Sequence, residues 1–412
     1  MLTQPTIRVT YLGAPLDLIP LPPNSLRVGQ VLTFSVRDAT GKLLIAAGQQ
    51  LQNTPLVQTI IARGAWMLTR ETMAYQRAMA HKMDQLMHQG ANLGDIVKVQ
   101  ADFRQDRQQK VELSEQAAWL DFQSQIHSLL REPRVEDFQP RFQQLHNDAL
   151  ARLQQRPDPV LMMLIFDASQ DFRQYSAKHA MLCLVVSDLC ARQLGWPDEW
   201  RLALTQAALS MNISISIQQD QLAALDDEPT HKQRQGLDAH GDKSAELLQS
   251  LGVSSELWLQ AVRLHHDVGP GPLAERSPSE QLGRVLRRID LFCARLSPRR
   301  SRQALAGASA ARTVYLDELQ KPDAAGAALI KTVGLYPPGS LVRLANGEIG
   351  IVFKRGHSAT EPMVAAVLGK SGNPLSEPVP RDTRLPAQAI AASLAPHELK
   401  LLVKMEKLLK LN

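Results

Sequence analysis

Five side chains in the middle of the chain carry nitrogen or oxygen donors where apolar residues are otherwise the rule: His179, His240, His265, His266 and Asp290. Imidazole nitrogen and carboxylate oxygen are ligands for zinc, iron and manganese. Their register is more informative than their number. His179 precedes Leu182 and Val186 at helical spacing, so it shares their stripe. His240 stands in the same relation to Leu247 and Leu248 if that helix reaches back so far, and His265 continues the stripe of Trp258, Ala261 and Val262. Asp290 borders the stripe of Leu286, Ile289 and Cys293. Four helices would then aim metal-capable groups into one interior, which is how bundles build metal sites. A lone histidine on an apolar face is more often a hydrogen-bonded core residue, so spacing by itself leaves both readings open. His81, His88, His127, His146, His231, His357 and His397 lack such placement and are expected at the surface.

The elements that must hold these groups are mostly helical. Phe138, Phe142, Leu145, Ala149 and Leu153 recur at three and four, as do Leu182, Val185, Val186 and Leu189. The segment from Arg201 to about Ile213 is apolar nearly all round, the mark of a central buried helix. Ser277-Pro278-Ser279-Glu280 is a start signal, with an N-cap serine, proline at N1 and glutamate at N3. The flanks read as strand. Leu32, Phe34 and Val36 alternate, then Asp38-Ala39-Thr40-Gly41 turns the chain into Leu43-Leu44-Ile45. Near the other end Val342 and Leu344 lead through Asn346-Gly347 to Ile349, Ile351 and Phe353, a hairpin signal, and Met363 to Leu368 reads as a third strand. The lysine- and leucine-rich tail beyond Pro396 reads as a docked terminal helix or strand.

The expected fold class is therefore mainly α: a helical bundle with a small N-terminal β-rich module and a C-terminal antiparallel hairpin or three-stranded appendage. The expected divisions are 1–74 for the β module, 75–158 for a helical connector, 159–335 for the bundle and 336–412 for the appendage and tail. A length of 412 residues suits two or three domains. Lys+Arg 46 against Asp+Glu 41 gives only +5, and aromatic content is 5%, so a basic face interleaved with aromatics for nucleic acid is not expected. No apolar run approaches the roughly 18 residues of a membrane span. Met1 to Thr6 lacks the basic and apolar pattern of a secretory signal. Cys183, Cys190 and Cys293 are odd in number and form no Cys-x-x-Cys pair, which suggests buried free thiols and a cytoplasmic protein.

From about Tyr175 to Gly350 the order of residues resembles the HD-GYP family, a branch of the HD-domain metal-dependent phosphohydrolases. The resemblance runs through Tyr175-Ser176-Ala177-Lys178-His179, His240, His265-His266-Asp267 and Arg287-Arg288-Ile289-Asp290. It ends in Gly334-Leu335-Tyr336-Pro337-Pro338-Gly339-Ser340 and the hairpin beyond. The small N-terminal module is similar to one that often precedes such domains. Intact members hydrolyse the bacterial second messenger cyclic di-GMP on paired metal ions, often iron or manganese. The resemblance implies metal ligands at His179, His240, His265, His266 and Asp290, and phosphate contacts at Arg299 and Arg302.

This chain departs from the family pattern at its centre. The His-Asp doublet is replaced by Met211-Asn212, and the lysine that would follow is Ile215. A thioether is a poor ligand for a hard cation, and an amide brings no negative charge to a shared position. The naming Gly-Tyr-Pro loop is also replaced, by Gly269-Pro270-Gly271-Pro272. By this carry-over one metal site keeps only His179 and Asp290. The facing one keeps His240, His265 and His266, and three histidines with water can hold one zinc or iron. The resemblance thus implies a degenerate, catalytically impaired sensor or interaction module of cyclic di-GMP-type bacterial signal transduction. A single divalent iron, manganese or zinc ion is its possible cofactor. A cyclic dinucleotide and a signalling protein are its expected partners, with no nucleic acid polymer among them. The alternative is an active phosphohydrolase using the three-histidine site.

Overall fold

In the computed structural model the chain forms two compact units, Met1–Ser114 and Glu115–Asn412. The structure describes parts of residues 18–68, and residues 115–266, 269–398 and 403–411. His81, His88 and Asp267 lie outside the described residues.

In the first unit the alternating run and the turn residues yield short strands. These are β1 (Leu18–Pro20), β2 (Val36–Arg37), β3 (Leu43–Ile45) and β4 (Trp66–Leu68), in the antiparallel order β1-β4-β2-β3. β2 and β3 form the expected hairpin, with Val36 opposite Ile45; Phe34 and the turn at 38–41 lie outside the described residues. Leu26, Leu32, Val36, Ile45, Leu51 and Val57 form a small core of their own.

The second unit is built on helices. α1 (Glu115–Arg131), α2 (Phe138–Gln155) and α3 (Pro157–Gln170) lead into α4 (Tyr175–Gln193). Then follow α5 (Asp198–Ser210), α6 (Ser216–Ala223), α7 (His231–Asp238), α8 (His240–Ser250) and α9 (Glu256–Leu264). α10 (Pro278–Leu296), α11 (Gly307–Tyr315) and α12 (Ala324–Val333) complete the bundle. α1 and α2 share its hydrophobic core. The most enclosed helix is α4, buried from Tyr175 through Ala191. α5, expected at the centre, is enclosed only in its second half, Ala203 to Ser210.

α10 starts where its signal places it. Ser277 accepts from the Glu280 amide and the Glu280 side chain returns to the Ser277 amide, closing a capping box. Two arginines on its buried face, Arg284 and Arg288, meet at Asp323, which is 4% exposed; Arg288 Nη2 donates to Asp323 Oδ2 at 2.8 Å. The other oxygen of Asp323 accepts from the amides of Ala325 (2.8 Å) and Gly326 (3.1 Å), capping α12. One carboxylate thus ties the start of α12 to the helix that carries Asp290.

The expected β appendage is larger than a hairpin or three strands. β5 (Leu341–Leu344), β6 (Ile349–Lys354), β7 (Met363–Leu368), β8 (Pro374–Asp382) and β9 (Ile390–Leu394) form an antiparallel sheet in the order β8-β7-β6-β5-β9. Two strands are not evident from sequence, for different reasons. β8 contains Pro374, Pro378 and Pro380, tolerable because it lies at an edge where the missing donors face away from the ladder. β9 is short and alanine-rich, and shows little alternation. Asn346-Gly347 does turn β5 into β6, with Gly347 at φ 87°. The tail docks as a helix, α13 (Met405–Leu409), with Met405, Leu408 and Leu409 in the main core.

Candidate metal centres

The sequence-derived donors gather into two groups, along the division that the resemblance implied and not into the single interior that spacing suggested. The first joins His240, His265 and His266, and the second joins His179 and Asp290 with Cys183; within each group the donor atoms lie within 4.8 Å of one another.

The first group forms where α8 begins and α9 ends. α8 reaches back to His240 and no further, and His265 is the C-cap residue of α9. The helix ends approach closely because Gly241 follows His240. A Cβ there would stand 3.0 Å from the Arg263 carbonyl oxygen and 3.2 Å from that of Val262. The turn after Met211-Asn212 is held against the same helix start. Ser214 Oγ bonds Ser244 Oγ at 2.8 Å and donates to the His240 carbonyl at 3.3 Å. Trp258 Nε1 donates to Ser210 Oγ at 2.9 Å, fixing α9 on the residue before Met211.

The imidazoles are oriented by backbone. His240 Nδ1 donates to the Leu237 carbonyl, and His265 Nδ1 to that of Val262 at 2.6 Å. Each neutral ring then carries a bare lone pair on Nε2, and the two Nε2 atoms stand 3.0 Å apart. Lone pairs that close repel unless a proton or a cation lies between them. A proton is disfavoured, because burial, then His266 and His240, push the His265 imidazole down to about 3. His265 is fully buried, whereas the His266 side chain is exposed and its ring centroid lies 4.0 Å from that of His265. The donor chemistry fits a divalent ion: converging neutral nitrogens, carbonyls behind two of the rings and one side open to solvent.

The second group is satisfied internally. His179 Nε2 donates to Asp290 Oδ1 at 2.8 Å, and the Cys183 sulfur lies 3.5 Å from the same nitrogen. Burial works to raise the Asp290 carboxyl. The hydrogen bond and charge of His179, with the charges of His265 and His266, outweigh it and hold Asp290 well below the usual carboxylate range. Burial, assisted by the neighbouring Cys293 thiol, pushes the Cys183 thiol up. His179 Nδ1 is buried without a hydrogen-bond partner. Cys183 was not among the sequence candidates. The available signal was its place one helical turn beyond His179, on the same face.

Met211 and Asn212 sit in the turn that closes α5, Met211 only 1% exposed within the hydrophobic core and Asn212 partly buried. The arginines expected to meet phosphate are engaged by protein. Arg299 lies over the Tyr175 ring, 5.1 Å from its centroid, and Tyr175 stacks on His179 at 5.7 Å. Arg302 Nη2 donates to the carbonyls of Ala294 (2.5 Å) and Ser297 (3.4 Å) at the end of α10. One histidine assignment needs correction. His146, expected at the surface, is fully buried, with Nε2 2.9 Å from Thr205 Oγ1, and burial pushes its imidazole down to about 4. It occupies the apolar stripe of α2 one residue after Leu145, where a buried hydroxyl on α5 supplies its partner. His231, His357 and His397 are exposed as expected, and His127 is partly buried. A cleft of about 510 Å³ lined by Arg192, Lys331, Arg355 and His357 shares no residue with either donor group. Among the described residues no helix is long and apolar enough to cross a membrane.

No protein-family model matches the chain, and no curated protein matches it. Among solved structures it is similar to a HDG"Y"P protein from Bdellovibrio bacteriovorus, at 14% identity and a TM-score of 0.44, over 76% of this chain and 98% of that one.

Proposed function

We propose that this chain is a degenerate HD-GYP-like module of cyclic di-GMP-type signalling that holds one divalent ion on His240, His265 and His266 and recognises its ligand without cleaving it. The observation that carries the reading is the facing pair of Nε2 atoms, 3.0 Å apart, beside a turn that offers Met211 and Asn212 where the family has its His-Asp doublet.

When bound, the ion would supply a positive centre for a phosphate oxygen or for an activated water. The chain's own residues restrict the chemistry available around it. The Leu237 and Val262 carbonyls keep both imidazole protons on Nδ1, so His240 and His265 present acceptors only. Asn212 has no charge to share between two cations and no basic oxygen to take a proton from water. In-line attack on a phosphodiester needs both attacking and leaving oxygens neutralised, and the triad alone neutralises one position. Arg299 and Arg302, held at the end of α10, are in this reading positioning residues that keep Tyr175 and His179 in place.

A second reading, a phosphohydrolase working from the triad, is favoured by one observation: His266 is exposed, so a substrate can reach an ion held there. Elemental analysis of the purified chain and of His265→Ala tests the proposal. The expected result is a transition ion in the wild type that His265→Ala removes. A chain that takes up no ion dependent on His265, after incubation with zinc, manganese or ferrous iron, overturns it.

A further inference from the structure

The second donor group differs in kind from the first. His179 and Cys183 stand one turn apart on α4 and face Asp290 on α10, so two helices contribute imidazole, thiol and carboxylate to one point. The present arrangement holds a proton where an ion would sit: His179 Nε2–H donates to Asp290 Oδ1 at 2.8 Å, and the Cys183 sulfur looks onto the same nitrogen from 3.5 Å. His179 is 2% exposed and Cys183 is fully buried, but the Asp290 side chain is 21% exposed, which leaves a way in for a fourth, solvent ligand. A carry-over of family ligands counts only His179 and Asp290 here, too few to hold a metal. Cys183 supplies the missing donor.

We propose that His179, Cys183 and Asp290 form a second, thiolate-containing metal site that selects zinc or cobalt(II) over manganese and magnesium. Thiolate is a soft ligand that suits zinc-like ions and not hard ones, and a Cys, His and carboxylate set with water completes a tetrahedron. Binding breaks the Cys183 S–H bond and releases that proton to solvent, and the imidazole proton moves from Nε2 to Nδ1. The two groups should fill in order. His240 and His265 each give Nδ1–H to a carbonyl, whereas Nδ1 of His179 has no acceptor. Loss of such an outer partner costs about 10–100-fold in metal affinity, so the triad loads first and the thiolate site second. The inference rests on the proposed function only for the identity of that first site.

The test is a cobalt(II) titration of the full chain followed by near-ultraviolet absorbance, where thiolate-to-cobalt charge transfer appears. The wild type is expected to show this band only as the weaker site fills. Cys183→Ser should lose the band and the weaker equivalent and keep the tighter one. His265→Ala should keep the band and lose the tighter equivalent, so failure of the triad and failure of this site read differently. Cys190→Ser and Cys293→Ser control for the other two buried thiols and should leave the band intact. If Cys183→Ser does not fold by circular dichroism, Asp290→Asn takes its place and should lower the affinity read from the band. A cobalt-loaded wild type without a thiolate band, or a band that survives Cys183→Ser, overturns the proposal.

Discussion

The two donor groups of the bundle lie close enough for the charge of Asp290 to reach His265 and His266, yet they are solved by opposite electrostatics. The triad collects three imidazoles and no anion, so its Nε2 lone pairs face one another. The other group carries its own counter-charge in Asp290 and is closed by one proton between His179 and the carboxylate. In the proposed reading the first needs a cation to neutralise its lone pairs, and the second is already neutralised by a proton. In the same reading Asn212 stands where a bridging carboxylate would make the pair a single centre.

The largest effect should come from loosening the helix that carries Asp290. Asp323→Ala removes the buried one of the two carboxylates that Arg284 and Arg288 share, leaves Glu318 to them, and uncaps α12. With Glu318 still paired to both arginines, the loss should fall below the roughly 3–5 kcal/mol of a buried pair broken outright. Denaturant melts should show that loss, and metal uptake at the second group should fall because α10 no longer seats Asp290. A variant that melts like the wild type would separate the clamp from the sites.

Next comes conversion of one region into the other's partner. On the proposed reading, Met211→His with Asn212→Asp supplies the charge that two cations would share. Bound metal should rise above the wild-type content by elemental analysis. Unchanged content would mean that the turn after α5 does not address either donor group.

Acid should then act on the triad through His265. His265 is pushed down to about 3 and His146 to about 4, against about 6.5 in an unfolded chain. The unfolded state therefore takes up protons first as pH falls, so this stability is complete above about pH 6.5 and is lost on the way down towards 4 and 3. In metal-free protein His265→Ala should flatten the slope of stability against pH just below about 6.5, the part of the window that the carboxylates do not share. An unchanged slope would mean that the triad carries a proton after all. The smallest effect is local. Ser277→Ala removes the cap of α10 and should cost about 1 kcal/mol without altering metal content.

Much of this was legible in the sequence because it rests on local chemistry. The capping box at Ser277, the Asn346-Gly347 turn and the stripes of α2 and α10 each depend on residues a few positions apart. So did the inward aim of His179, His240, His265 and Asp290. The division into two groups was expected from the resemblance and not from spacing; the close approach of α8 to α9 that forms the triad was not legible, because its sign is a missing side chain at Gly241. Cys183 was hidden among apolar neighbours, where a thiol reads as core. His146 was misplaced because its partner Thr205 is remote in sequence, and β8 was missed because tolerance of its prolines depends on being at an edge.

Whether the triad holds an ion in a protein that no longer cuts is decided by one comparison. Cyclic di-GMP turnover is measured for the wild-type chain reconstituted with manganese or ferrous iron, beside His265→Ala. The wild type is expected to retain its His265-dependent ion and to convert no cyclic di-GMP above the His265→Ala background. Metal-dependent turnover by the wild type that His265→Ala abolishes would contradict this.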